Sequence, residues 1–193
     1  MRFVFVIALV ASLGSCHREN LKYDKPYFDF DSLVRAQIIK LSEAKPRLQK
    51  ITSLRGKTDS TSAVPDTTQW KHELDTFQQL DIINKPLYKG NYRRMDGKDD
   101  HSNLLVHSYT AQIKSLVPEV KFFYEGNFQK IKRIEAVFME GNVLYTTSRR
   151  MVLEFEEQHG FRMISGYQVQ GFQKMIFSDS VPFSIEGRLT FPD

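Results

Sequence analysis

The chain has 193 residues, 41% of them hydrophobic and 12% aromatic, enough to bury a core and short enough to favour one domain, which excludes disorder throughout. Its net charge of +4, with Glu135, Glu154, Glu156 and Glu157 set among the basic residues, is too small an excess to argue for nucleic acid as a partner. A single cysteine excludes both a disulfide framework and a zinc site built from cysteines.

The chain starts Met1-Arg2, runs through the apolar stretch 3–11 and reaches Ser12-Leu13-Gly14-Ser15-Cys16. A basic tip, a short apolar run and small residues form the layout of a secretory signal over residues 1–15. The run falls well short of the roughly 20 residues that a membrane-spanning helix needs. Leu13-Gly14-Ser15-Cys16 resembles the lipobox of bacterial lipoproteins. The resemblance covers the first 16 residues and implies diacylglyceryl attachment to the Cys16 sulfur, cleavage between Ser15 and Cys16, and anchoring to the membrane through acyl chains. Two or three such chains bind far more firmly than one, at about 0.8 kcal/mol per buried methylene. His17 follows the cysteine where some lipoproteins have aspartate, which by family habit implies the outer membrane. The bland alternative is a soluble secreted protein whose signal happens to end near a cysteine.

Residues 16–27 read as a lipidated cysteine and a polar tether, its last eleven residues reaching about 36 Å when extended. A single domain is expected over 28–193. A first amphipathic helix is predicted over about 32–44, where Leu33, Val34, Ile38 and Leu41 recur at helical spacing, capped by Asp29 or Asp31 and ended by Pro46. Residues 47–64 read as a polar hairpin turning at Arg55-Gly56-Lys57, with a second arm that also reads as loop. Pro65-Asp66-Thr67-Thr68 caps a second helix over about 69–82, with Trp70, Leu74, Phe77 and Leu80 on its apolar stripe and a stop at Asn84-Lys85-Pro86. Trp70 is read as a core anchor rather than a ligand-stacking residue.

After Pro86 the texture changes to short strands separated by turns, predicted over 88–94, 104–113, 120–124, 128–139, 143–155, 161–172 and 183–189. Two turns are near copies, Tyr124-Glu125-Gly126-Asn127-Phe128 and Met139-Glu140-Gly141-Asn142-Val143, each offering Gly and Asn for positive φ. Val143, Tyr145, Met151, Leu153 and Phe155 alternate with polar residues, as do Phe161, Met163, Tyr167 and Val169, so one sheet face is apolar and the other wet. The fold class read from this pattern is α+β: a curved antiparallel meander of about six or seven strands over 87–189, with the two helices packed on its apolar face.

The chemistry is sparse. His17, His72, His101, His107 and His159 form no metal-binding spacing. His107 alternates with Leu105 and Tyr109 and is expected to point inwards, more as a hydrogen-bonded core residue than as a ligand. The acidic stretch 96–101 resembles a calcium loop, but Lys98 stands at a ligand position, His101 at the glycine and His107 at the glutamate. Glu154 and Glu156 share the polar strand face and are expected to pair across strands with cations such as Arg150 and Arg162. There is no G-x-S-x-G elbow, phosphate-cradling glycine loop or dinucleotide fingerprint, and no cofactor is implied.

The leading functional expectation is a lipid-anchored envelope lipoprotein whose domain is a non-catalytic binding or scaffold unit meeting another envelope protein. The chain is similar in style to small uncharacterised lipoproteins of Bacteroidota-type bacteria, through the short signal, the aromatic-rich strands and the phrase Asp81-Ile82-Ile83-Asn84-Lys85-Pro86. The second expectation is a carrier of a lipid or other apolar ligand, held between sheet and helices. The third is an enzyme whose groups converge around His107 from distant strands.

Overall fold

The computed structural model describes residues 24–158 and 160–192. Helix α1 spans Phe30–Ala44 and α2 spans Thr67–Gln78. Asp29 caps α1 by accepting from the Ser32 amide. Asp66 and Gln69 cap α2 reciprocally, each side-chain oxygen accepting from the other's backbone N–H at 2.8 Å. Lys45 ends α1 with a positive φ just before Pro46, whose ring cannot continue a helix. The second helix is α-helical only to Gln78; the chain then tightens into 3-10 turns over Gln79–Asn84 and Pro86–Tyr88. No helix among the described residues is long and apolar enough to cross a membrane.

The strands are β1 (Arg47–Leu54), β2 (Lys57–Ala63), β3 (Tyr92–Lys98), β4 (Leu105–Ala111), β5 (Glu119–Tyr124), β6 (Ile131–Gly141), β7 (Tyr145–Gln158), β8 (Phe161–Met175) and β9 (Val181–Thr190). They form one open antiparallel sheet in the order β2-β1-β9-β8-β7-β6-β5-β4-β3. The α+β class with an antiparallel sheet and two helices is therefore as expected, but the sheet has nine strands where the sequence suggested six or seven. The polar hairpin supplies the difference. Its first strand pairs with the last one in the chain, from Arg47↔Thr190 to Leu54↔Phe183, a contact that no local pattern announces. The strand expected from residue 88 begins at Tyr92, because Tyr88 lies in the 3-10 turn.

The core lies between one sheet face and the helices. Phe30, Val34, Ile38 and Leu41 of α1 and Trp70, Leu74 and Phe77 of α2 pack with Phe122, Ile134, Met151, Leu153, Tyr167 and Val169 from the strands. Val143 and Phe161 are exceptions to the expected alternation: both are exposed, Val143 in the turn before β7 and Phe161 at the first residue of β8, where the Lys40 side chain of α1 reaches over its ring. The buried apolar residues of the described chain all lie between Phe30 and Leu189, with Tyr27, Phe28 and Phe191 packed against them, so this segment closes a core of its own.

Three polar devices fasten the layers. Gln37, buried on α1, donates from Nε2 to Arg162 O at 3.1 Å and accepts from Ile164 N at 2.9 Å. Strand β9 pairs only with Gly166 to Gln173 of β8, so residues 161–165 lie beyond its ladder and the Gln37 amide serves them instead. Tyr167 lies over Gly187, where an added Cβ would stand 2.3 Å from the ring, and its hydroxyl donates to Glu73 of α2 at 2.6 Å. Glu73 in turn receives Lys50 of β1 at 2.7 Å. Burial and the Glu73 carboxylate push the Tyr167 hydroxyl far above its ordinary range.

The third device straps the N-terminal segment down. Asn84 donates to Phe28 O at 2.9 Å and accepts from Tyr27 N at 3.1 Å, while Asp81 accepts from Asn84 at 3.0 Å. Lys25 sits among three carboxylates, Asp29 at 2.5 Å, Asp81 at 3.0 Å and Asp31 at 3.5 Å. The stretch Asp81 to Asn84 is thus the clamp on residues 25–31.

Candidate functional site

His107 does point inwards. It lies on β4 opposite Asp96 of β3, with Nδ1 and a carboxylate oxygen 2.7 Å apart. An ionised carboxylate only accepts, so Nδ1 carries the proton and donates. Burial holds the imidazole below its ordinary pKa, with Asp96 opposing and Arg94 adding to the shift, so the ring is neutral at neutral pH. Its other nitrogen, Nε2, is buried without a hydrogen-bond partner. The ring is packed by Tyr109 at 4.7 Å, Phe128 at 5.1 Å and Phe122 at 6.0 Å between centroids. A histidine oriented by a carboxylate is the beginning of an acid-base pair. Here the other nitrogen is shut away without a partner in a ring packed among aromatic side chains, and the pair acts as a clamp between β3 and β4.

The stretch read against a calcium loop is a hairpin. Asp96 and His107 face each other across it, and Asp99 accepts from Ser102 Oγ at 2.6 Å. No group of three or more metal-ligating side chains occurs among the described residues. The glutamates of β7 depart from the expected pairing. Arg150 meets Glu135 at 2.8 Å, and among the described residues Glu154, Glu156 and Glu157 make no ion pair. The cause is register: Arg150 stands across from Val137 on β6, one diagonal step from Glu135. Trp70 is fully buried in the core, as expected, with its ring nitrogen unpartnered.

The two copied turns share a device other than the one the sequence suggested. Gly126 has φ +68°, but Gly141 is the last residue of β6 and has no positive φ. What they share is the asparagine: Asn127 Oδ1 accepts from Gln129 N at 2.9 Å, and Asn142 Oδ1 accepts from Leu144 N at 2.7 Å. Each is an Asx turn closed by the side chain.

A surface that the sequence reading missed lies at one end of the sheet. The register brings together there the turns β1–β2, β4–β5, β6–β7 and β8–β9. Three of these turns carry exposed apolar residues, Phe177 at 94%, Val143 at 84%, Leu144 at 61% and Ile113 at 60%, and the fourth turns at Arg55-Gly56. A groove of about 920 Å³ opens among them, walled by Tyr88, Ile113, Leu116, Pro118, Met139 and Val143. A second, of about 1050 Å³, lies between Arg55, Lys174 and Phe177. The tips are held firmly. Ile176 N donates to Leu144 O at 2.9 Å, Ile113 N to Asn91 Oδ1 at 2.8 Å and Met139 N to Leu116 O at 2.7 Å. Tyr92 donates to Val117 O at 2.7 Å and meets Ser115 Oγ at 2.6 Å, and burial pushes its hydroxyl up to about 12. Apolar residues at turn tips, where polar ones are the rule, were the available signal. The alternation that predicts a strand from residue 143 hides this signal, since β7 begins at Tyr145.

Cys16 and Ser15, with the expected signal peptide and the expected tether as far as residue 23, lie outside the described residues. No family model matches the chain, and no curated protein or solved structure matches it either.

Proposed function

We propose that the chain is a lipid-anchored lipoprotein of the cell envelope, held by acyl chains on Cys16, whose domain is a non-catalytic binding or scaffold unit for another envelope component. The observation that carries this reading is Leu13-Gly14-Ser15-Cys16 closing a short apolar run too brief to span a bilayer. The strap on Lys25 and Tyr27 adds to it. If residues 25 onwards are held to the fold, only residues 17–24 separate anchor from domain, about 26 Å at full extension. A binding role is supported by exposed apolar side chains on turns held by hydrogen bonds. His17 after the cysteine favours the outer membrane. Fractionation of the native envelope tests the reading: the mature chain is expected in the membrane fraction and released by detergent, and Cys16→Ala in the soluble fraction. Equal membrane retention of both would contradict it.

The apolar groove of about 920 Å³ favours a second reading, a carrier of an apolar ligand. It places the ligand at the end of the sheet, because the space under the helices is filled by Trp70, Leu74, Phe77, Met151 and Leu153. Mass spectrometry of residues 17–193 purified without detergent would show a reproducible co-purifying lipid if this reading holds, and none if it fails.

A further inference from the structure

We propose that the apolar end of the sheet is a membrane-contact face, seating on an anionic phospholipid bilayer with Val143, Leu144, Ile176 and Phe177 in the headgroup boundary and Arg55, Lys114 and Lys174 against lipid phosphates. This deepens the anchored reading but does not depend on acylation.

Single exposed apolar residues are ordinary on a soluble protein. Here they are gathered on the turns of one end, whereas the opposite end carries Asp99, Asp100, His101, Glu125 and Asn127 in its turns, with Val64, Phe128 and Phe161 as its large exposed apolar side chains among the described residues. The charges follow the same division. On the sheet's outer face Lys121, Arg133, Arg150 and Arg188 all have carboxylate partners, while Arg55, Lys114 and Lys174 have none among the described residues; Lys98 and Lys130 at the opposite end also lack one, but they stand in or beside turns that carry Asp99, Asp100 and Glu125. The acids at the apolar end are Glu140, which accepts from the Tyr145 hydroxyl at 3.1 Å, and Asp179. Unpaired cations around apolar tips complement a surface that is negative outside and apolar beneath.

Shape separates a bilayer from a protein partner. The tips stand on separate turns divided by two open grooves, so a rigid partner would have to match each gap, while fluid acyl chains and headgroups fill them. Position agrees as well. Tyr27 hydroxyl donates to Tyr88 O at 3.3 Å and accepts from Tyr92 N at 3.2 Å, which fixes the N-terminal strap to the first residue of β3, at this same end. Phe28, the next residue of the strap, packs on Phe128 of the opposite end, so it is the reach of about 26 Å over residues 17–24, and not the direction of the strap, that lets an anchor on Cys16 and the apolar tips address one membrane.

The test uses residues 17–193 without acyl chains, so its failure is distinct from failure of the lipoprotein assignment. Phe177→Trp is expected to shift to the blue on adding vesicles of phosphatidylcholine and phosphatidylglycerol in equal parts, and to be quenched by brominated acyl chains; Phe161→Trp, at the opposite end, is expected to do neither. Val143→Asp, Leu144→Asp and Phe177→Asp together should abolish sedimentation with these vesicles while leaving the thermal midpoint unchanged, since all three side chains are exposed. Lys174→Glu should weaken binding by at least about fivefold per lost lysine on anionic vesicles and little on pure phosphatidylcholine. An unchanged Phe177→Trp spectrum, equal shifts at both ends, or vesicle binding that survives the three aspartates would overturn the proposal. A protein crosslinked through this end without any vesicle binding would assign the surface to that partner and overturn it too.

Discussion

Gln37 does at one point what a further strand would do: its amide serves the β8 backbone where the β9 ladder has ended. Gln37→Leu leaves Ile164 N–H without that partner in the core, and an expected loss of about 2 kcal/mol follows, measurable by urea denaturation. The residue was readable as an oddity, since positions 34, 37, 38 and 41 form one helical stripe and glutamine is its polar member. Its partner was not readable, because Arg162 and Ile164 are more than a hundred residues away. Gly187→Ala puts a methyl group into the Tyr167 ring and should cost about 1–3 kcal/mol, whereas glycines with open space around them tolerate alanine sterically. His107 gives a pH signature. Its folded pKa lies below the unfolded value of about 6.5, so its contribution is complete above that value and is lost as pH falls through the folded pKa. Stability should therefore decline on acidification from pH 7 to 5 in part through this ring. In His107→Phe that part of the slope should vanish; an identical slope would assign it to other groups.

At the scale of elements, the helices were legible because caps and stripe coincide: Asp29 with Phe30, Val34 and Leu41, and Asp66 with Trp70, Leu74 and Phe77. The second arm of the first hairpin was ambiguous for a physical reason. Every residue of β2 is exposed, so there is no buried face to impose alternation, and only its hydrogen bonds to β1 make it a strand. The N-terminal strap was invisible because Lys25 and Tyr27 are polar or amphipathic and their partners lie some fifty residues on. Lys25→Met leaves Asp29, Asp31 and Asp81 facing one another, and faster hydrogen exchange is expected at the first turn of α1. The ion network also fixes its own pH window. Burial lowers the Lys25 pKa but hydrogen bonds to Asp29 and Asp81 outweigh it, so the folded value exceeds 10.5 and the stabilisation is lost as pH rises through it. Burial raises the Asp29 pKa but Lys25 and Ser32 outweigh that, so its share is lost as pH falls through a value below 3.8. Between these limits the strap is intact. An Asx turn is worth testing in the same way: Asn142→Ala frees Leu144 N and Tyr145 N and should loosen the β6–β7 tip without unfolding the sheet.

For the whole molecule, the decisive contact is β1 with β9, which turns a seven-strand meander plus a hairpin into one nine-strand sheet. Leu48 and Leu189 face each other in that ladder and are both buried, so Leu48→Ala should cost about 2–3 kcal/mol and expose the hairpin to proteolysis first. The sheet's two edges are blunted by polarity: β2 carries Lys57, Asp59 and a run of Ser and Thr, and β3 carries Arg93, Arg94, Asp96 and Lys98. The lengthwise asymmetry, apolar tips at one end and mainly polar turns at the other, emerges only when the register sets turns from residues 55 to 180 side by side. Sequence could mark Val143-Leu144 and Met175-Ile176-Phe177 as unusual in turns but could not bring them together. The anchored reading of the whole chain rests on Cys16. Metabolic labelling with a fatty-acid analogue, followed by mass spectrometry of the N-terminal peptide, asks the question most directly: the account predicts label on a mature chain that begins at Cys16 and none in Cys16→Ala, whereas an unlabelled wild-type chain, or label that persists in Cys16→Ala, would contradict it.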